Sequence, residues 1–312
     1  MGKIIITSGK KFIDVDSLSC ALALRDLLIL EGKKAETVLV GELNHSVTDN
    51  IRKMGMDFLS KFTDNENEDL ILVDVSEPNQ LPESVDLKKV IEIYDHHVGF
   101  EKFWQEKIGD KAKIESVGAC ATLIWEEYKK RGMKDKIDSK NVNLLMMAIV
   151  SNTLNFKASI TSQRDEMAFA ELKKHAEISE EQIKGYFLEQ ERSIEDDVKK
   201  SIINDTKVQN IFGTDIYLVI GQIELWDGKD FVKKYLEEIE EVLVGFSNPN
   251  YFMTVPSISE GKNYFYTKSE TVKGLLKRAV DAKFDGNIGS TPKLWLRKEI
   301  LEKMYQLSKI EK

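Results

Sequence analysis

The sequence predicts an α/β protein of two domains: an N-terminal, mostly parallel sheet with helices on both faces, then a smaller C-terminal mixed-sheet α/β domain. Three observations carry this. The chain has 312 residues, more than one small domain requires. Its first half alternates short apolar runs with amphipathic stretches, the pattern of successive strand–helix units. A charged segment from Glu189 to Asp197 then precedes a second series of strand and helix signals. The expected division is 1–190 and 196–312, with the charged segment as linker.

Taken in order, Lys3 to Thr7 reads as a buried strand because Ile4, Ile5 and Ile6 are contiguous and β-branched. Ser17 to Glu31 places leucines on one helical face. Glu36 to Val40 is strand-like and Ser46 to Met54 helical. Leu70 to Val75, Val90 to Tyr94 and Lys113 to Val117 read as strands, and Ala119 to Arg131 as a helix. From Asp138 to Lys200 the pattern is helical, with Leu144 to Val150 buried. The Glu- and Lys-rich stretch from Asp165 onward reads as a solvated helix face. Strand and helix signals return at Ile216 to Ile223, Phe231 to Val244, Tyr251 to Val255, Asn263 to Thr267 and Leu275 to Ala282.

The net charge of −8 argues against a general nucleic-acid binder, which carries a basic face. No run reaches the roughly 18 apolar residues of a membrane span. The N-terminus enters a strand at once, so neither a signal peptide nor myristoylation at Gly2 is expected. Cys20 and Cys120 lie among apolar neighbours and read as buried, reduced thiols, pointing to a cytoplasmic location.

Three acidic or histidine-bearing segments follow strands in the first half. Asp14-Val15-Asp16-Ser17 follows the first strand and opens its helix, Asp74 ends Leu70 to Val73, and Asp95-His96-His97 follows Val90 to Tyr94. In a parallel sheet, loops after the strand C-termini gather at one edge, where ligands bind. Each segment alone has a plain structural reading. Asp14 or Asp16 can be a helix N-cap, Asp74 a strand end, and His96-His97 a hydrogen-bonded loop pair. Together after three successive strands they suit Mn²⁺, Mg²⁺ or Co²⁺, and a carboxylate can bridge two such ions. Paired ions are a recurrent device for phosphoryl chemistry.

These segments, with Val117-Gly118-Ala119-Cys120-Ala121-Thr122 downstream, resemble the DHH phosphoesterases. The nearest branch is that of the family II inorganic pyrophosphatases and related exopolyphosphatases, and the similarity runs in order along most of the chain. The resemblance implies two divalent ions: Asp14 would bind the first, Asp16 and His96 the second, and Asp74 would bridge them. His97 would face the phosphate, and Asp95 would orient a histidine. Lys207, Arg297 and Lys298 match basic residues that clamp the substrate, with the site in a cleft between the domains. Read alone, Trp295 to Tyr305 is an amphipathic helix with a charged face. The implied substrate is small and phosphate-containing, and the implied state a monomer or homodimer.

Two positions depart from the family pattern. Lys10 stands where family II pyrophosphatases have a metal-binding histidine, and a protonated lysine has no lone pair to offer. Asn152 stands where an aspartate ligand is usual, and could offer its amide oxygen without a charge. Lys10 could instead contact a phosphate oxygen. The expected activity is hydrolysis of pyrophosphate or short polyphosphate. One alternative is a degenerate member that binds phosphate compounds with little turnover. The other is an oligonucleotide phosphodiesterase, disfavoured because that branch carries a C-terminal glycine-rich segment ending in histidine, whereas no histidine follows His175.

Overall fold

Ile4, Ile5 and Ile6 do form the buried centre of a strand in the computed structural model, which describes residues 2–62, 68–176, 178–211 and 216–310. The chain divides into two compact units, Met1–Phe156 with Ile160–Ile183, and Lys157–Ser159 with Lys184–Lys312. The first unit contains β1 (Lys3–Thr7), β2 (Phe12–Ile13), α1 (Val15–Leu30), β3 (Ala35–Thr37), β4 (Glu42–Leu43), α2 (Asp49–Lys53), β5 (Glu68–Val73), β6 (Val90–Asp95), α3 (Glu101–Ile108), β7 (Ala112–Ile114), α4 (Cys120–Lys130), α5 (Ser139–Asn152) and α6 (Gln163–Leu172). Its main sheet has the order β3-β1-β5-β6-β7, every pair parallel.

Strands covered on both faces read as continuous apolar runs rather than alternating ones. Leu70, Ile71, Leu72 and Val73 are accordingly all buried. Ile5, Leu70, Leu72, Ile93 and Trp104 share one core cluster, and the Trp104 indole donates to the Ser76 carbonyl at 2.6 Å, tying α3 to the chain leaving β5. Helix α1 packs with α4 and α5. It is buried from Val15 to Arg25 without a break, which suits a helix that is apolar around its circumference.

Several boundaries differ from expectation for local reasons. Ser46 lies outside α2 because its hydroxyl accepts the Val15 N–H at 2.8 Å, bracing the start of α1. The strand expected from Lys113 ends at Ile114. Asp165, expected on a solvated face, is fully buried in a capping box with Ser162. Beyond α5, Leu154, Asn155 and Phe156 are left-handed, with φ of 49°, 54° and 62°.

The expected linker is instead structured. Glu189 to Glu195 completes α7 (Glu180–Glu195), and Asp197 caps α8 (Val198–Asn204), accepting the Lys200 N–H at 3.1 Å. Ile194 is the reason, since its side chain joins a hydrophobic core.

The second unit continues with β8 (Thr206–Asn210), β9 (Tyr217–Gln222), α9 (Phe231–Lys234), α10 (Leu236–Gly245), β10 (Tyr251–Ser257), β11 (Lys262–Tyr266), α11 (Glu270–Val280), β12 (Lys283–Asp285), β13 (Ile288–Ser290) and α12 (Arg297–Ile310). Its sheet has the order β12-β13-β11-β10-β9-β8; β9 and β10 are parallel and the remaining pairs antiparallel. Successive side chains of a strand face opposite ways. Val219 therefore packs with Val198, Ile202 and Leu243, whereas Leu218 and Ile220 pack with Leu276, Ile300 and Met304. Among the described residues no helix is long and apolar enough to cross a membrane.

Candidate metal centre

Strands β5 and β6 are hydrogen-bonded neighbours, with Val73 opposite Tyr94, so the residues at their C-terminal ends emerge side by side. Asp74 turns there with φ 56°, a conformation that Asp accepts better than most L-residues. Its N–H donates to the Tyr94 carbonyl at 2.8 Å. One carboxylate oxygen, Oδ2, accepts the Ser17 hydroxyl at 2.7 Å. The other, Oδ1, is buried and receives no hydrogen bond. His96 Nε2 stands 3.3 Å from that oxygen and 4.0 Å from Asp16 Oδ2. His97 Nδ1 lies 3.8 Å from Asp74 Oδ1. The ligand atoms of Asp74, His96 and His97 all fall within 4.8 Å of one another.

Hydrogen bonds around the imidazoles fix their roles. His96 Nδ1 is 3.1 Å from the Val117 carbonyl, which can only accept, so the proton sits on Nδ1. In the neutral ring, Nε2 then aims a lone pair at two carboxylates, and that arrangement needs a cation between the partners. A proton or a metal ion satisfies it, and an oxygen-rich set with one imidazole suits a hard or borderline divalent ion. Asp95 Oδ1 accepts the His96 N–H at 2.8 Å, the His97 N–H at 3.1 Å and His97 Nδ1 at 2.8 Å. Asp95 thereby orients the half-exposed His97 ring.

Asp14 and Asp16 flank this group from α1. Asp14 caps the helix, accepting the Ser17 N–H at 2.8 Å. Asp16 is fully buried at the N-terminus of α4, accepting the Cys120 N–H at 2.8 Å and the Ala121 N–H at 2.9 Å. Asn152 ends α5 and donates Nδ2 to Asp16 Oδ2 at 2.5 Å. It therefore presents its nitrogen to the cluster; its oxygen would face a cation only after the amide turned over.

The charges record how crowded these carboxylates are. Burial, reinforced by the charge on Asp74, pushes Asp14 up to about 6 and Asp16 up to about 7. Burial also acts to raise Asp74, but His96, His97 and Ser17 outweigh it and hold that carboxyl low. Desolvation would lower His96, yet Asp74, Asp16 and Asp95 push it up to about 10. Without metal, protons supply the positive charge that the cluster demands.

The basic residues singled out in the sequence fall on both units. Lys10 is exposed in the loop after β1, its N–H donating to the Gln80 carbonyl at 2.8 Å. Lys207 on β8 and Lys298 on α12 are exposed in the second unit. Arg297 is buried there, its guanidinium donating to the Asp205 carbonyl at 2.6 Å and to Asp205 Oδ1 at 2.7 Å. Three contributors escaped sequence reading: the Ser17 hydroxyl, the Val117 carbonyl and Asp165. Only the last left a signal, the Ser162-x-x-Asp165 spacing of a capping box.

Residues 3–149 match the DHH family, N-terminal domain. Among relatives named as probable manganese-dependent inorganic pyrophosphatases, one from Lactobacillus delbrueckii subsp. bulgaricus is 30% identical over 177 residues, covering 54% of this chain and 53% of its own length. One from Bacillus pumilus is 33% identical over 190 residues, 58% of each. One from Lactobacillus acidophilus is 23% identical over 298 residues, 93% of this chain and 94% of its own. The chain thus spans little more than half the length of the first two of these. A Methanococcus jannaschii protein assigned by name to the family II inorganic pyrophosphatases superposes with TM-score 0.67 at 24% identity, covering 97% of this chain and 99% of its own. An exopolyphosphatase-related protein from Bacteroides fragilis gives TM-score 0.52 at 14% identity, covering 99% and 93%. Both share the two-part α/β fold. The segment that supplies Asp14, Asp16, Asp74 and His96 thus lies within the match to the DHH family, N-terminal domain, which spans just under half of this chain.

Proposed function

We propose that this chain is a divalent-cation-dependent phosphohydrolase that splits phosphoanhydride bonds, with pyrophosphate or short polyphosphate as substrate. The observation that carries the reading is the close group of Asp74, His96 and His97, with the buried Asp74 Oδ1 facing His96 Nε2 at 3.3 Å. The manganese dependence in the relatives' names supports it.

Asp14, Asp16, Asp74 and His96 are the proposed holders of one or two ions. Bound divalent ions would supply Lewis acidity, easing deprotonation of water and neutralising phosphoryl oxygens. The chain's own groups do the rest. With Nδ1 held by Asp95, the remaining ring nitrogen of His97 is the one available to exchange a proton with a phosphate oxygen. Lys10, exposed after β1, is the proposed mobile point charge toward the phosphates. Both cysteines are free and buried, which suits the proposed cytoplasmic location.

Phosphate release from pyrophosphate, tripolyphosphate and long polyphosphate, each with Mn²⁺, Mg²⁺ or Co²⁺, tests this. Release from the short anhydrides that depends on the cation is expected, with a dinucleotide left intact. No release from any anhydride with any ion would leave only the phosphate-binding reading.

Asn152 offers a separate check. Asn152→Asp sets a second carboxylate against Asp16 at the 2.5 Å contact. The expected result is Mn²⁺ binding tighter by about tenfold and a metal-free melting temperature lower by several degrees. Calorimetry and melting with and without chelator measure both, and no change in either would count against Asn152 lying at the cation site.

A further inference from the structure

Asp165 lies at the N-terminus of α6 and is fully buried, yet both its oxygens are occupied. Oδ2 accepts the Gly118 N–H at 2.8 Å, the Ser162 N–H at 2.7 Å and the Ser162 hydroxyl at 2.6 Å. Oδ1 accepts the Thr122 hydroxyl at 2.6 Å and the Ala119 N–H at 3.3 Å. Three of these five donors come from Gly118, Ala119 and Thr122. The residues between and beside them serve the candidate metal centre: the Val117 carbonyl holds His96 Nδ1, and the Cys120 and Ala121 amides hold Asp16.

Packing holds the same loop from the other side. A Cβ on Gly118 would come within 2.7 Å of Thr153 Cγ2 and 2.9 Å of Asp165 Oδ2. The loop is therefore pressed against the end of α5 and bonded to α6. Where it sits decides where the His96 ring and the Asp16 carboxylate sit.

We infer that Asp165 is a positioning residue for the cation site, fixing the segment 117–122 that orients His96 and Asp16. This rests on the reading that those two residues hold a cation. Asp165 touches neither cation nor substrate in this scheme and acts only through the loop. Its charge is what the loop requires, because all five donors point at one carboxylate. Asn would keep the shape but turn an amide toward N–H groups that need an acceptor.

The test uses the full chain and Mn²⁺ as probe. Wild type, Asp165→Asn, Thr122→Val and a core control, Leu70→Ala, are titrated calorimetrically at a temperature where circular dichroism shows each folded. Removing such an outer partner weakens metal binding by about 10- to 100-fold in other sites, and that loss is expected for Asp165→Asn. Thr122→Val should lose less, and Leu70→Ala should stay within about twofold. In metal-free protein the Cys120 and Ala121 amides should exchange hydrogen faster in both loop variants than in the control.

Wild-type Mn²⁺ affinity in folded Asp165→Asn overturns the inference. If Asp165→Asn does not fold, Thr122→Val decides: unchanged affinity together with unchanged exchange at Cys120 and Ala121 overturns it. If wild type itself binds no Mn²⁺, the cation reading fails on its own, and the exchange measurement still shows whether Asp165 sets the loop.

Discussion

Asp74→Asn is expected to abolish measurable Mn²⁺ binding and to reduce phosphate release from pyrophosphate by at least about 10³-fold, the scale of losing a centrally placed electrostatic group. The reason is local. Asp74 shares its surroundings with Asp14, Asp16, His96 and His97, and it is the carboxyl held ionised there while Asp14 and Asp16 are pushed toward their neutral forms. Asn retains an oxygen for Ser17 but brings no charge toward His96. Calorimetry and a phosphate-release assay on the folded variant check the two halves independently. Retention of wild-type Mn²⁺ affinity would mean that the cation, if any, is held elsewhere.

Mn²⁺ affinity should rise steeply with pH. Burial pushes Asp14 up to about 6 and Asp16 up to about 7, from the 3.8 ordinary for a carboxyl. A raised carboxyl stabilises the metal-free fold below the unfolded value and loses that contribution as pH climbs through the folded value. Metal-free protein should therefore lose stability between about pH 4 and pH 7. His96, raised from 6.5 to about 10, contributes fully below 6.5 and retains part of its stabilisation until about pH 10. An incoming cation must displace these protons. Displacing the His96 proton alone gives about tenfold per pH unit, so affinity should tighten by about 100-fold or more from pH 5.5 to 7.5. Titrations in buffers of different ionisation enthalpy should show at least one proton released. A pH-independent affinity would rule out these groups as the holders.

The parts of this site that could be read from sequence are those imposed by parallel-sheet geometry. Asp74 and Asp95-His96-His97 follow apolar runs, and once those runs are adjacent strands their ends coincide. Parallel strands need no contact information to bring their exits to one edge. The parts that could not be read depend on tertiary partners. Asp165 opens a stretch whose Glu and Lys content mimics a solvated face, and only the loop folded over it shows that it is buried. Nothing local to Ser17 or Val117 predicts that a hydroxyl and a carbonyl would brace Asp74 and His96. The segment from Glu189 to Asp197 misled for a related reason. Its charges resemble a linker, while the burial of Ile194 makes it a helix.

The left-handed turn at Asp74 limits what mutation can make of this position. At φ 56° long and β-branched side chains are strained, whereas Gly and Asn enter readily. Drift away from Asp is thus channelled toward residues that preserve the strand exit and drop the charge. Scaffold and reactivity are separable here by exchanging one oxygen for nitrogen, so a lineage could retire the chemistry and keep the architecture.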